Sequence, residues 1–239
     1  VSDADAGRIG QVAPARVGDA LDAVDTPALL LDLDAFEENL QRVHAVIAHA
    51  GLQVRPHGKA HKSPAIAHLQ VAAGAVGICC QKVSEAEVFV RAGIRDVLIT
   101  NQIVGARKLA RLADLAAQAR IAVCVDHPEQ VGQLRQAVAA AGAAAQFDVL
   151  IEVDIGHGRC GVDDAAQAVA LARAVAGCGL RFAGIHAFRG SAQHMRQPQV
   201  RAAAVAAAVE KVRAVVQALA GAGFDCATIT GGGTGTYRL

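Results

Sequence analysis

The sequence predicts a (β/α)8 barrel of the TIM type, an α/β fold, truncated after its eighth strand. Three observations carry this. Short runs rich in Val, Ile and Leu alternate with longer Ala-rich stretches of helical period, the pattern of parallel βαβ units. There are eight such runs, with seven helical stretches between them, in 239 residues, close to the ~250 residues usual for such a barrel. The glycines are also in the right place for a barrel. A doubly wound sheet carries its Gly-rich phosphate loop after the first strand. Here Asp32-Leu33-Asp34 follows the first run, and Gly231-Gly232-Gly233 follows the last.

Residues 1–25 are rich in Gly, Ala and Asp without periodicity and are expected to be an N-terminal leader; 26–239 is the expected barrel domain. The expected strands are 28–33, 52–56, 75–79, 96–100, 121–125, 147–153, 181–186 and 226–230. The expected helices are 35–50, 64–73, 84–92, 105–119, Pro128–Ala141, 163–176 and 198–222. Gly51, Gly93, Gly142 and Gly223 stand where left-handed C-caps end helices. A barrel covers its last strand with an eighth helix, so more protein is expected beyond Leu239.

Hydrophobic residues make up 53% and charged residues 19%, which suits a packed core and excludes intrinsic disorder. A net charge of +1 gives no broad field for nucleic acid or an anionic membrane, and 3% aromatics without Trp gives no base-stacking platform. The six cysteines form no CxxC pair and are read as buried free thiols of a reducing compartment. With no signal-peptide pattern and no uninterrupted apolar span, a cytoplasmic protein is expected.

Candidate chemistry gathers at strand C-termini, the face on which barrel active sites are built. The segment Val54-Arg55-Pro56-His57-Gly58-Lys59-Ala60-His61-Lys62-Ser63-Pro64 ends the second strand and holds two of only five lysines. Strand alternation turns His57 and Lys59 to one side. A lysine facing a barrel mouth is partly desolvated, which favours a nucleophilic amine; the alternative is a solvated basic loop. Lys62 competes for the role but lies nearer the next helix and is expected to be more solvated.

Thr230-Gly231-Gly232-Gly233-Thr234-Gly235-Thr236 follows the eighth strand, where barrels hold phosphate; its backbone N–H groups and hydroxyls suit an anion. No Gly-Lys-Ser/Thr follows, so it is not a Walker A loop. In Glu152-Val153-Asp154-Ile155-Gly156-His157-Gly158-Arg159-Cys160-Gly161, Arg159 suits an oxyanion or a cofactor oxygen. A metal between Asp154 and His157 and an ordinary Gly turn capped by Asp163 are both open there. His186, at the end of the seventh strand, suits a hydrogen bond to a flat cofactor or stacking on it, or a structural role. Gln81, after the third strand, offers a neutral donor and acceptor.

Arg55-Pro56-His57-x-Lys59-x-His61-Lys62 resembles the lysine motif of the D-threonine aldolase, D-3-hydroxyaspartate aldolase and D-serine dehydratase group. These are fold-type III pyridoxal 5′-phosphate enzymes with an alanine-racemase-like N-terminal barrel followed by a β domain. The wording from Gly77 to Glu87, Gly190-Ser191-Ala192-Gln193-His194 and the Thr230–Thr236 segment are most similar to the D-3-hydroxyaspartate aldolase branch. The resemblance covers Asp25 to the end. It implies that Lys59 carries the cofactor as a Schiff base, with His57, Gln81, Arg159 and His186 near it. It also implies that Thr230, Gly231, Gly232, Gly233, Thr234, Gly235 and Thr236 hold its phosphate. The activity implied is retro-aldol cleavage of D-3-hydroxy amino acids, of the 3-hydroxy-D-aspartate or D-threonine type, to glycine and an aldehyde or glyoxylate. A D-serine or D-3-hydroxyaspartate dehydratase, a non-catalytic cofactor-binding barrel and an ordinary phosphate-binding barrel are the alternatives.

The group also uses a divalent metal, Mg or Mn, held in the C-terminal β domain. That domain is expected outside this chain, so no metal ligand is carried over to these residues and activity of the chain by itself is not implied. The expected partners are a small D-amino acid and, for the full-length protein, a second copy in a homodimer, with neither nucleic acid nor membrane.

Overall fold

The computed structural model of the chain describes residues 13–142 and 146–239. Residues 1–12, about half of the expected leader, lie outside the described residues. Backbone contacts divide the chain into two compact units, Val1–Gln41 and Arg42–Leu239.

In the first unit a short 3-10 turn, Leu21–Ala23, precedes helix α1 (Leu33–His49), which begins there and continues into the second unit. Asp32 Oδ1 accepts the Ala35 N–H at 2.9 Å, the side-chain cap that starts α1. The strand expected at 28–33 does not form: Leu29, Leu30 and Leu31 are exposed and have no ladder partner among the described residues. A continuous apolar run specifies burial, but a parallel strand also needs neighbours to take its N–H and C=O groups. The Asp32 cap also draws Leu33 into the helix.

The second unit holds α2 (Pro64–Ala72), β1 (Ile78–Cys80), α3 (Val83–Arg91), β2 (Asp96–Gln102), α4 (Ala106–Ala116) and β3 (Arg120–Val125). These are followed by α5 (Pro128–Ala141), β4 (Phe147–Glu152), α6 (Ala165–Gly177), β5 (Arg181–Ala187), α7 (Pro198–Gly221) and β6 (Thr228–Gly231). All seven expected helices form. Pro64, Pro128 and Pro198 each occupy the first helical turn, where a missing N–H costs nothing.

The six strands form one all-parallel sheet in the order β1-β2-β3-β4-β5-β6. Strictly sequential order is that of a (β/α) barrel; a doubly wound sheet would reverse direction at a switch point. The strand expected at 52–56 runs beside β1 without joining the ladder. The Val76 N–H donates to Val54 O (3.0 Å), the Cys79 N–H donates to Pro56 O (2.7 Å), and His57 makes an isolated bridge to Cys79. Pro56 has no N–H to give, which interrupts the pairing.

Successive strand residues face opposite ways. Ile78, Val97, Ile99, Ile121, Val123, Phe147, Val149, Ile151 and Ile185 pack with helix residues such as Phe89, Leu112, Leu134, Leu171 and Leu219 in the main core. Burial of each such side chain is worth about 1.5–3 kcal/mol. Cys79, Leu98, Cys124, Leu150 and Ala183 form a smaller separate layer on the other face, the barrel interior.

The two ends of the sheet differ. At the N-terminal ends of the strands, Asp148 (1% exposed) pairs with Arg120 (2.7 Å) and Arg181, while Asp96 pairs with Arg55 (2.6 Å) and Arg120 (3.3 Å). The lysine segment, Glu152, His186 and the glycine loop lie at the other end.

Candidate active site at the strand C-termini

Lys59 lies on a one-turn 3-10 helix, Gly58–Ala60, just beyond the extended segment beside β1. Gly58 is buried against Phe89 of α3; a Cβ there would come within 2.6 Å of the ring, so only glycine lets the turn sit this close. Lys59 itself is exposed, less desolvated than expected, because it rides on this turn at the rim and not on a strand. Its Nζ donates to Gln81 Oε1 at 3.3 Å. Gln81 is fixed through its backbone: its N–H donates to Glu85 Oε2 (2.9 Å) and its carbonyl accepts from Asn101 Nδ2 (3.3 Å). Lys62, the competitor, is exposed as well, with a 66% exposed side chain and its Nζ 3.4 Å from Glu85 Oε1.

His57 is tied on both ring nitrogens. Nδ1 accepts the Lys59 N–H at 3.2 Å, and Nε2 lies 3.0 Å from the Thr100 hydroxyl. Burial pushes its pKa down to about 4, helped by the charges of Lys59, His186 and His61 and opposed by Glu85. Its ring is therefore neutral near neutral pH. The influence of His186 on His57 puts β5 and the lysine segment in one electrostatic neighbourhood.

The floor is made by interior-facing residues of β2 to β5. Cys124, Glu152 and His186, all buried, bring a thiol, a carboxylate oxygen and a ring nitrogen within 4.8 Å of one another. Glu152 Oε2 accepts from Gln102 Nε2 at 2.5 Å; Oε1 lies 3.7 Å from His186 Nδ1 and 3.9 Å from Arg159 Nη2. Burial pushes the Glu152 carboxyl up, but His186, Gln102 and Arg159 more than offset it and hold it below the usual range. Burial holds the Cys124 thiol far above its usual range, hence protonated. His186 Nδ1 is buried without a hydrogen-bond partner. Sequence reasoning found His186 and Arg159 but missed Cys124, Gln102 and the role of Glu152. The available signal was two-residue alternation: Ala122 and Cys124, then Leu150 and Glu152, share the inward register.

The loop after β4 closes on Asp154, whose carboxylate accepts the N–H groups of Gly156 (2.9 Å), His157 (2.7 Å) and Gly158 (3.0 Å). These bonds hold the Asp154 carboxyl below its usual range against the opposing effect of burial. Three of these bonds fall on Oδ1 and one on Oδ2, so the carboxylate organises the loop's own backbone. Arg159 is left at the rim, its side chain 48% exposed.

After β6, Thr230 pairs with His186 across the sheet and Gly231 with Ala187. In the loop that follows, the Gly235 N–H donates to Gln193 Oε1 (2.8 Å), and the Thr236 hydroxyl accepts from Gln193 Nε2 (3.0 Å). Thr234 is exposed at the tip. Gln193 was quoted in a motif, but its contact with the glycines was not legible there. A separate groove of about 520 Å³ between α4 and α5 is lined largely by Ala, with Leu109, Asp114, Gln133 and Gln136, and lies outside the sheet.

A sequential parallel sheet with amine, imidazole, guanidinium and Gly-loop groups at its strand C-termini defines a TIM-type α/β barrel with a candidate site at that end. The alanine racemase N-terminal domain family matches residues 31–239, and the chain belongs to it. It is 50% identical over 227 residues to D-threonine aldolase of Arthrobacter sp, covering 95% of this chain and 59% of that protein. It is 40% identical over 232 residues to 3-hydroxy-D-aspartate aldolase of Paracoccus denitrificans (strain Pd 1222), covering 96% and 59%. The crystal structure of D-threonine aldolase from Filomicrobium marinum superposes with a TM-score of 0.92 at 52% identity, covering 94% of this chain and 61% of that one. The chain thus spans about three fifths of the length of these relatives.

Proposed function

We propose that this chain is the cofactor-binding barrel of a pyridoxal 5′-phosphate-dependent lyase. Its reaction is cleavage of D-3-hydroxy amino acids, of the D-threonine or 3-hydroxy-D-aspartate type, to glycine and an aldehyde or glyoxylate. The observation that carries it is the division of labour between two lysines. Lys62 is paired with Glu85, whereas Lys59 has a neutral partner, Gln81 Oε1, and so keeps an amine available at the strand C-termini. The names of the relatives support the substrate class.

The residues present fit the cofactor. Lys59 offers the amine for its aldehyde, His186 Nδ1 is an unpartnered buried nitrogen, Arg159 is a rim guanidinium, and the Gly231–Thr236 loop, opened by Thr230, offers N–H donors for its phosphate. When bound, the cofactor supplies the electron sink for the bond broken at the substrate α-carbon. The protein's own part is positional and electrostatic. Gln81 aims the Lys59 amine. Neutral His57 fixes the lysine backbone without adding charge beside it. Arg159 suits a carboxylate or the cofactor's phenolic oxygen.

The residues do not fit a hard divalent ion. Mg and Mn prefer oxygen ligands, and the Cys124–Glu152–His186 group offers a thiol, an imidazole and only one carboxylate. The proposed Mg or Mn site therefore lies outside these residues, in a β domain. We assign residues 1–25 to a leader and 26–239 to the barrel domain. A homodimer acting in the cytoplasm is part of the same reading. No described helix is long and apolar enough to cross a membrane.

The test is reduction with borohydride after incubation with pyridoxal 5′-phosphate, followed by peptide mapping. The cofactor mass is expected on Lys59, absent in Lys59→Ala and retained in Lys62→Ala. Adducts spread equally over several lysines, or persisting in Lys59→Ala, would overturn the reading.

A further inference from the structure

The glycine loop after β6 is folded around one side chain from another part of the chain. Gln193 lies in the 3-10 turn Gly190–His194 that follows β5. Its carboxamide reaches the loop twice: Oε1 accepts the Gly235 N–H (2.8 Å), and Nε2 donates to the Thr236 hydroxyl (3.0 Å). The Thr236 oxygen also accepts the Gly233 N–H at 3.2 Å, its proton goes to the Gly233 carbonyl at 3.3 Å, and the Thr236 N–H donates to that same carbonyl at 2.9 Å. Thr236 is only 9% exposed. The same contact fits glycine: a Cβ on Gly235 would come within 2.9 Å of the Gln193 carbonyl oxygen, and one on Gly233 within 2.7 Å of Gln193 Oε1, which would have to move.

These bonds divide the loop's donors. The Gly235 N–H and the Thr236 hydroxyl are turned inward and satisfied, whereas Thr234 is exposed at the tip. A run of glycines loses more conformational freedom on ordering than any other sequence, at about 1–2 kcal/mol per residue. A loop ordered before its ligand arrives does not take that cost out of binding.

We propose that Gln193 is a positioning residue for the anion-binding loop, holding Gly233–Thr236 in its binding conformation without itself contacting the anion. This rests on the reading that the loop takes the phosphate of pyridoxal 5′-phosphate. The substitution Gln193→Leu keeps the bulk of the side chain and removes both bonds.

Two measurements on the parent chain and this variant test the inference. The first compares affinity for pyridoxal 5′-phosphate with affinity for pyridoxal, which keeps the aldehyde and lacks the phosphate. Free pyridoxal masks its aldehyde as an internal hemiacetal to the same extent with parent and variant, so the change in their ratio on substitution isolates the phosphate. Gln193→Leu is expected to weaken pyridoxal 5′-phosphate about tenfold, the equivalent of about 1.4 kcal/mol, and to leave pyridoxal unchanged. An unchanged ratio overturns the inference, as does equal weakening of both ligands. Tighter binding of pyridoxal 5′-phosphate would make Gln193 a gate and also overturns it.

The second measurement needs no ligand. Amide hydrogen exchange at Gly235 is expected to accelerate at least about tenfold in Gln193→Leu, while the β4 and β5 amides keep their protection. Unchanged exchange at Gly235 overturns the positioning role. If the parent binds pyridoxal and pyridoxal 5′-phosphate equally, the phosphate reading of the loop fails. That outcome is seen in the parent alone and so is distinct from a failure confined to the variant.

Discussion

His57 Nε2 lies 3.0 Å from Thr100 Oγ1, and the Thr100 hydroxyl proton is directed to the Cys80 carbonyl at 3.3 Å. Thr100 is therefore the acceptor, which puts the single ring proton of His57 on Nε2. Nδ1 must then accept, and it does so from the Lys59 N–H at 3.2 Å. The network that holds the lysine turn is complete only for neutral His57.

The pH dependence follows from that pairing. The folded-state pKa of His57 is depressed from 6.5 to about 4, chiefly by burial and then by Lys59. Between those values the unfolded chain takes up the proton and the folded chain resists it, so stability falls as pH drops from about 6.5 to 4. Above 6.5 both states are neutral and the penalty is absent. His57→Gln is expected to flatten this part of the curve in urea titrations run across the window. Parallel pH slopes for parent and variant would refute the argument.

Asp148 supports the opposite end of the sheet. Its carboxylate is 1% exposed and shared by two guanidiniums, each about half exposed. Arg120→Ala or Arg181→Ala leaves one counter-ion and is expected to cost about 1 kcal/mol. Removing both strands a buried charge and is expected to cost about 3–5 kcal/mol, more than the two single losses added. Urea denaturation of the two singles and the double gives the coupling directly; additive losses would show that Asp148 is solvated after all.

The helices were legible because their signals are local. Pro64, Pro128 and Pro198 mark starts, and the Ala-rich stretches keep the helical period between them. The strand at 28–33 was misread because an apolar run says nothing about whether neighbours exist, and that at 52–56 because Pro56 breaks a ladder the run otherwise suits. The same contrast holds at the site. Lys59, Gln81 and the glycine loop stand in contiguous motifs. The Glu152–Gln102 bond joins residues 50 apart and the Gln193–Gly235 bond residues 42 apart, through strand register and a loop return that no window of sequence contains. Motif wording pointed toward the hydroxyaspartate branch, yet overall identity is higher with the Arthrobacter D-threonine aldolase, 50% against 40%.

The six thiols are expected to separate by position. Cys79, Cys80 and Cys124 are buried, and burial raises each of them, Cys79 to about 12. Burial also raises Cys160 and Cys226, but these two and Cys178 are only partly covered and within reach of a reagent. Since the thiolate is the reactive form, a water-soluble alkylating reagent at mildly alkaline pH should modify the latter three in the native protein. The former three should react only after denaturant is added. Mass spectrometry of peptides from the two stages checks this, and early labelling of Cys124 would mean the interior layer is open.

Glu152 offers the sharpest separation of charge from shape on the site floor. Its carboxyl is held below 4.5 against burial, so the stability it contributes is present above that value and is lost as pH falls through the lower folded-state value. Glu152→Gln keeps an acceptor for Gln102 Nε2 and can offer an amide to His186 Nδ1, and should cost about 1 kcal/mol. Glu152→Leu leaves the Gln102 amide without its acceptor in a buried place and should cost about 1–3 kcal/mol, one desolvated polar group. The acid-side loss below 4.5 should shrink in both variants. A chelator should leave the melting curves of parent and Glu152→Gln unchanged, because a thiol and an imidazole beside one carboxylate make this trio a poor cage for Mg or Mn. A chelator-induced drop in the parent that vanishes in Glu152→Gln would instead show a metal bound by Cys124, Glu152 and His186, and the hydrogen-bonded floor described here would have to be redrawn around it.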